Sequence, residues 1–296
     1  MPRITQVYDI TGPVPFFDAE VTTDNRWFVD PYAVRIARGP EPFVAEANAC
    51  TSSFFDALAG CIVASAGSRA HADGLLMLQR FAEPRETRLG MARRGFDGHG
   101  GAAKIGFDIW TALTTEVEAL VEVAVLGQIE HIPLFVHGVD RDITSDLTTR
   151  IIYRPLADFT MAMVEQYPEF RAASHGVRQV ERQVWDAARS TWATQVMELP
   201  TVDGKPLLLV PKDWVRQHLL MSATRFYETT ILTHAQLQRA VRLHDKVLKT
   251  PKSELKRNPD LGRGRGTILR VTSQARHDGL DLVAEFTRFV NHQLLS

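Results

Sequence analysis

Cysteine is nearly absent from this sequence of 296 residues, which contains only two. Cys50 and Cys61 lie eleven positions apart in one predicted helix, which separates them by about 16 Å along its axis. A disulfide needs Cα atoms within about 7 Å of each other, so these two cannot pair in a continuous helix. The sequence therefore predicts two free thiols in a reducing compartment and excludes a disulfide framework.

Long apolar runs are also missing. The most apolar early segment, 54–66, is interrupted by Asp56 and is shorter than a helix that spans a bilayer. The first residues, Met1 to Gln6, lack the apolar core of a signal peptide. We therefore expect a cytoplasmic protein that makes no contact with a membrane.

Several motifs that would identify a class of enzyme are absent. The sequence has no Gly-Lys-Ser/Thr of a P-loop, no Gly-x-Ser-x-Gly of a serine hydrolase and no EF-hand pattern. Its ten histidines do not show the spacing of a zinc site. The formal net charge of −1 indicates no partner by itself.

The remaining sequence has the composition of a globular protein, 45% hydrophobic and 23% charged. We predict an α+β fold that is predominantly helical, with a small antiparallel or mixed sheet. That sheet includes a hairpin at about 194–210, because Asp203-Gly204 lies between two apolar strands. Residues 177–192 are ambiguous and fit a helix slightly better than a strand.

The predicted elements suggest a division near residue 212. Residues 1–212 would form an α+β core, and 213–296 a helical, basic C-terminal lobe packed on it. Within the lobe, helices are expected at 212–221, 233–249, 251–257 and 267–295. A single domain containing both parts is the alternative.

Acidic side chains are densest at a turn between a predicted strand at about 133–137 and a helix from about 143. Asp140, Asp142 and Asp146 lie within seven residues there. Clustered carboxylates suit Mg²⁺, which prefers oxygen ligands and can activate water. The alternative is structural, with Asp142 as the N-cap and Asp146 in the first turn of the helix.

A glycine-rich, basic loop precedes another predicted helix. It contributes five candidates for contact with phosphate: Arg93, Arg94, Gly98, Gly100 and Lys104. Backbone N–H groups at the start of a helix can bind phosphate oxygens, and the basic side chains would add positive charge. A surface loop without a ligand is the alternative.

The third feature is a basic arm, residues 239–276, with eleven basic residues against three acidic ones. Arg239, Arg242, Lys246 and Lys249 recur every three or four residues, which predicts one stripe along a helix, and Lys256 follows. Such a stripe can follow a phosphate backbone. A solvated helix face and a surface for a protein partner are the alternatives.

These features give two hypotheses about function. The first is a metal-dependent phosphodiesterase or nuclease, in which Asp140, Asp142 and Asp146 hold Mg²⁺ and Lys212 orients water beside it. In that hypothesis the loop and the basic arm bind the nucleic acid. The second is a non-catalytic subunit that binds nucleic acid or a protein partner in a larger assembly. There the aspartates are helix caps and the basic arm is the interface.

Overall fold

The computed structural model of the protein describes residues 2–23, 25–79, 84–90, 99–115, 119–120, 123, 127–172, 176–243 and 246–295. The chain is 56% helical with 15% strand in small antiparallel sheets, so the predicted α+β class is confirmed. The helices are α1 (Ile4–Val7), α2 (Pro31–Ile36), α3 (Phe43–Ile62), α4 (Arg69–Leu78), α5 (His99–Thr115), α6 (Ile132–Phe135), α7 (Arg141–Ile151), α8 (Tyr153–Gln166), α9 (Glu169–Ala172), α10 (Ala223–Phe226), α11 (Leu232–Gln238), α12 (Lys252–Leu255), α13 (Arg265–His277) and α14 (Leu282–Leu295).

The strands pair in three small antiparallel sheets. They are β1 (Phe28–Val29), β2 (Val177–Asp186), β3 (Thr191–Val202), β4 (Lys205–Pro206), β5 (Val215–Arg216), β6 (Val241–Leu243) and β7 (Lys246–Leu248). The sheets are β1 with β5, β2-β3-β4, and β6 with β7. In the longest pairing, β2 and β3 run from Val177 opposite Pro200 to Asp186 opposite Thr191.

The predicted Asp-Gly turn is present between β3 and β4. Asp203 and Gly204 both have positive φ angles, 50° and 72°, as a two-residue type I′ hairpin requires. The other strand that pairs with β3 lies in the segment that the sequence left ambiguous with a slight preference for a helix, and 177–186 forms strand β2. This segment is a strand because it pairs with β3 along its whole length, and the local spacing of its valines does not reveal that pairing.

Two local predictions near the acidic turn also need correction. Residues 132–135 form the short helix α6 with Pro133 in its first turn, where a strand was expected. Proline suits the first turn of a helix, because its missing N–H has no intrahelical partner to lose there. Helix α7 begins at Arg141, and its N-cap is Asp140 and not Asp142.

The C-terminal part contains less helix than predicted. The segment 212–221 forms a short 3-10 turn, Lys212–Trp214, followed by β5. Helix α11 ends at Gln238, and the residues expected to continue it form the hairpin β6–β7. The long helix expected at 267–295 is divided into α13 and α14 at Gly279, whose φ is +77°.

The main hydrophobic core draws on residues from Val29 to Val290, and α7 crosses it. A second cluster joins the N-terminal segment to α8, with Tyr8, Phe16, Phe159 and Phe170 among its members. None of the described helices has the length and hydropathy needed to cross a bilayer.

Candidate functional site

Helix α7 is unusual because its sequence is polar and its side chains are buried. Nine of its eleven residues are buried, among them Thr144, Ser145, Thr148 and Thr149. The hydroxyl groups of Thr144 and Thr148 donate to carbonyls one turn earlier, and the Ser145 Oγ accepts the Val29 N–H at 2.9 Å. These hydrogen bonds offset the cost of burying polar groups, so α7 fills the centre of the protein without apolar side chains on every face.

The three aspartates of the acidic turn have different environments. Asp140 is exposed, and its carboxylate accepts the N–H groups of Asp142 and Ile143 at 3.1 Å each. Asp142 is 8% exposed, and Asp146 is half-buried. The structural role predicted for this turn is therefore present, with Asp140 as the capping residue.

Asp142 lies against the backbone of Gly90. A Cβ atom built on that glycine would come within 3.0 Å of the Asp142 Oδ1, and the Gly90 φ of +115° already disfavours other residues. Across the described residues, no group of three or more His, Cys, Asp or Glu side chains is arranged to hold a metal ion. The geometry of the three aspartates thus gives no support to the predicted magnesium site.

A cavity of about 490 Å³ lies beside the acidic turn. Its walls come from α5, from residues 135–139 with Ile143, and from Arg265 and Gly266 at the start of α13. Helix α5, which forms one wall, packs closely on α4. Gly106 of α5 allows this approach, because a Cβ atom there would overlap the Leu78 carbonyl group of α4. The fold thus brings the acidic turn to the helix that follows the glycine-rich loop and to one arginine of the basic arm.

Arg265 contributes a permanent positive charge to the lining of that cavity. Its Nε is buried and has no hydrogen-bond partner among the described residues. Burial lowers the pKa of Arg265, the nearby Arg263 lowers it further, and Asp140 raises it. An electrostatic interaction therefore links the start of α13 to the acidic turn, which spacing along the sequence did not indicate.

The other predicted residues lie in different places. Arg93, Arg94 and Gly98 are outside the described residues, and Gly100 is in the first turn of α5. Lys104 is exposed on α5, with its Nζ 3.9 Å from the Asp108 carboxylate. Lys212 lines a separate groove with Pro15 and Arg38, which contains none of the three aspartates.

A buried polar cluster in the core was not predicted from the sequence. The Arg182 Nε donates to Glu86 at 2.7 Å, and Arg150 on α7 donates to the Gln183 carbonyl at 3.1 Å. The Arg150 guanidinium also lies over the Tyr153 ring, 5.3 Å from its centre. Burial lowers the pKa of Arg150 and raises that of Tyr153. No local motif joins these residues, because they come from separate segments of the chain.

A second buried group surrounds the start of α2. Asp30 is completely buried and accepts the N–H groups of Tyr32 and Ala33 through Oδ1 and that of Leu220 through Oδ2. Burial raises the pKa of Asp30 to about 6, although these hydrogen bonds act to lower it. Its role as N-cap could be expected from Asp30-Pro31, whereas the contact with Leu220 could not.

The basic arm is divided into two parts by the structure. In the first, Arg239, Arg242, Lys246 and Lys249 are exposed, and none has an ion pair with another described residue. They lie on or beside the hairpin β6–β7, which we call the basic ribbon (residues 239–243 and 246–249). The prediction that they form a stripe on one helix was wrong.

The second part of the arm folds back on the protein. Lys256 pairs with Glu228 at 2.7 Å, and Arg276 pairs with Asp281. Arg263 donates to the Thr224 hydroxyl, and Arg270 donates to the Asp260 carbonyl. Lys256, predicted to bind nucleic acid, is therefore already engaged. The four side chains of the basic ribbon, by contrast, make neither an ion pair nor a hydrogen bond with a described residue.

The faces of the ribbon follow from its register. Val241 opposes Leu248 and Leu243 opposes Lys246, so these four side chains share one face. Arg242 and its partner Val247 occupy the other face. Val241, Leu243, Val247 and Leu248 are each at least half exposed, so the described residues cover neither face of the ribbon.

The chain belongs to the family described as "Domain of unknown function (DUF8370)", whose profile matches residues 9–222. The matched region includes the acidic turn, α7 and the buried polar cluster, and it ends before the basic ribbon. Comparison with curated proteins and with solved structures gave no significant match.

Proposed function

We propose that this protein binds nucleic acid through the basic ribbon, as a non-catalytic subunit. The observation that carries the proposal is the concentration of four exposed cations, without ion pairs to described residues, on one antiparallel ribbon. Basic side chains bind phosphates and release counterions, which favours association with a polyanion. A two-stranded ribbon also has the width of the major groove of DNA.

The apolar side chains of the ribbon fit the same partner. Val241, Leu243 and Leu248 share a face with Lys246, so base methyl groups and phosphates can be contacted by neighbouring side chains. A purely solvated basic surface gives no reason for three large apolar residues that are at least half exposed. This combination favours a nucleic acid over the solvated-face interpretation.

The test measures binding of labelled DNA and RNA at several salt concentrations by fluorescence anisotropy. Changing Arg239, Arg242, Lys246 and Lys249 to Gln should weaken binding to both. On a duplex, the slope of log affinity against log salt should flatten by roughly 0.9 for each phosphate that the variant no longer neutralises. A matched control changes four exposed cations elsewhere, namely Arg38, Arg171, Arg178 and Lys205.

The proposal requires the ribbon variant and the control to differ. Equal affinities and equal salt slopes would contradict it, and would return the ribbon to a solvated surface or a surface for a protein partner. A loss of affinity that is as large in the control as in the ribbon variant would contradict it too, because net charge alone would then explain the binding.

The metal-dependent phosphodiesterase is the second candidate. What favours it is the cavity, which brings the acidic turn beside α5 and Arg265. Two observations weigh against it: no metal-ligating group occurs among the described side chains, and Lys212 lines a separate groove that contains none of the three aspartates. Magnesium-dependent cleavage that is lost on changing Asp140 and Asp146 to Ala would favour it. The cytoplasmic location stays a prediction from the sequence.

A further inference from the structure

The cavity beside the acidic turn has the size and lining of a small-molecule site. Its volume of about 490 Å³ lies within the range of ligand pockets, roughly 300–1,000 Å³. Its walls are mainly apolar, with Ile105, Phe107, Ile109, Phe135 and Ile143 among them. Walls of this kind favour a flat or compact apolar ligand body, because binding removes apolar surface from water.

Asp108 and Arg265, two charged groups in the lining, differ in whether they already have a partner in the protein. The carboxylate there, Asp108, lies 3.9 Å from the ammonium group of Lys104. Arg265 is half-buried, and its Nε has no hydrogen-bond partner among the described residues. A buried donor that lacks an acceptor is unfavourable, and an anionic group paired with the Arg265 guanidinium would offset that penalty.

Asp140 is a counter-charge near Arg265, because it raises the pKa of that guanidinium, while its Oδ1 also accepts two N–H groups at the start of α7. Arg263 lies close enough to Arg265 to lower the pKa of that guanidinium, so positive charge is concentrated at this end of the cavity. A second anion beside the two arginines would relieve their repulsion.

We propose that the cavity binds a small organic anion, with an apolar aromatic body against Phe107 and Phe135 and one anionic group paired with Arg265. This site does not depend on nucleic-acid binding by the basic ribbon, since the two share no residue. A guanidinium group can pair with a carboxylate, a sulfonate or a phosphate through two parallel hydrogen bonds. The proposed site therefore requires a negative charge on the ligand and does not specify which of these groups carries it.

The test uses a matched pair of fluorescent probes. One is 8-anilinonaphthalene-1-sulfonate, and the other is N-phenyl-1-naphthylamine, which has the same aromatic body without the charge. Arg265→Gln should weaken binding of the sulfonate at least tenfold and change that of the neutral probe less than twofold. Arg270→Gln is the control on the same helix, because its side chain bonds the Asp260 carbonyl and does not line the cavity.

A second variant tests the place of binding without altering charge. Thr111 is exposed on the cavity wall, so Thr111→Trp should fill the space, preserve the circular dichroism spectrum and abolish binding of both probes. Serine at Val241 and Leu248 should leave both affinities unchanged, which separates the cavity from the apolar face of the ribbon.

Competition then distinguishes two classes of natural head group. Displacement of the sulfonate by 1-naphthoate or by 1-naphthyl phosphate, whichever is stronger, identifies the preferred anion. Three results would overturn the proposal: no saturable binding of the sulfonate, equal weakening of both probes in Arg265→Gln, or unchanged binding in Thr111→Trp.

Discussion

Helix α7 and the basic ribbon reverse the usual relation between polarity and burial. Threonines, a serine and an arginine of α7 are buried in the core, whereas the ribbon leaves Val241, Leu243, Val247 and Leu248 at least half exposed. Buried polar groups and exposed apolar surfaces are the informative departures from ordinary packing. The polar side chains of α7 thus have partners within the chain, whereas no described residue covers the apolar side chains of the ribbon, as the proposed binding of nucleic acid requires.

The largest expected effect is on the buried polar cluster that α7 joins through Arg150. Glu86→Ala removes the carboxylate that pairs with Arg182 and lies near Arg150. Because two buried or half-buried cations then lose their counter-charge, unfolding in urea should show a loss of about 3–5 kcal/mol. The control is Glu181→Ala, an exposed neighbour, which should cost less than about 0.5 kcal/mol. Equal losses of stability in the two variants would show that the ion pair of Glu86 does not stabilise the buried polar cluster.

The buried Asp30 should make stability depend on pH. Its pKa is about 6 in the folded protein, raised by burial from 3.8, so the folded state holds a proton more tightly than the unfolded state. This group therefore stabilises the protein most at low pH, and its contribution falls as pH rises from about 4 to 6. The fall approaches about 3 kcal/mol. Urea unfolding of wild type and Asp30→Asn should diverge across this window, and parallel curves would contradict the raised pKa.

A smaller loss is expected where α7 meets β1. Ser145→Ala deprives the buried Val29 N–H of its acceptor, which should reduce the free energy of unfolding by about 1–3 kcal/mol. Ser253→Ala is the exposed control. A change below about 0.5 kcal/mol would mean that the hydroxyl groups of α7 do not stabilise the core.

Substitutions on the basic ribbon, unlike those in α7, should hardly change the free energy of unfolding. Serine at both Val241 and Leu248 should change the free energy of unfolding by no more than about 0.5 kcal/mol per substitution, because these side chains are already exposed. The urea midpoint checks this, and a loss above about 2 kcal/mol would show that the ribbon packs within the protein. The same variant should weaken nucleic-acid binding, since the apolar face is part of the proposed interface.

The smallest expected effect is that of magnesium. Saturating Mg²⁺ should leave the thermal midpoint unchanged and release no saturable heat in calorimetry, because the described aspartates do not converge as ligands. A ligand at 100 times its Kd would add about 2.7 kcal/mol. A rise in the thermal midpoint that disappears in the Asp140→Ala, Asp146→Ala double variant would support the hypothesis of a metal-dependent enzyme.

Local signals in the sequence determine the structure where a single turn of the chain is enough. Asp30-Pro31 begins α2, Ser68 caps α4 through the His71 N–H, and Asp203-Gly204 turns between β3 and β4. Each depends on the side chain or dihedral angles of adjacent residues. Pro155 likewise lies in the first turn of α8, and α7 and α8 are separated at Ile152.

Predictions from spacing failed where two patterns overlap. Basic residues three or four apart fit a helix face, but Val241 and Leu243 also alternate as in a strand, and the strand is what forms. The segment 177–186 is similar, since pairing with β3 supplies hydrogen bonds that a short local pattern cannot reveal. In both cases pairing with a neighbouring strand determines the secondary structure of the segment.

The sequence by itself determined the start of α2 at Asp30-Pro31, the Asp-Gly turn, the two free cysteines and the predominantly helical α+β class, because these follow from neighbouring residues and from composition. Only the tertiary structure decided that α7 is buried and that Arg265 reaches the cavity beside Asp140. It also decided that the cations of the ribbon lack ion pairs to described residues, while Lys256 and Arg276 after it have them. These properties depend on contacts between segments far apart in the chain. The sequence thus predicts that the acidic turn begins a helix. The tertiary structure places that turn beside the cavity that we propose as a binding site.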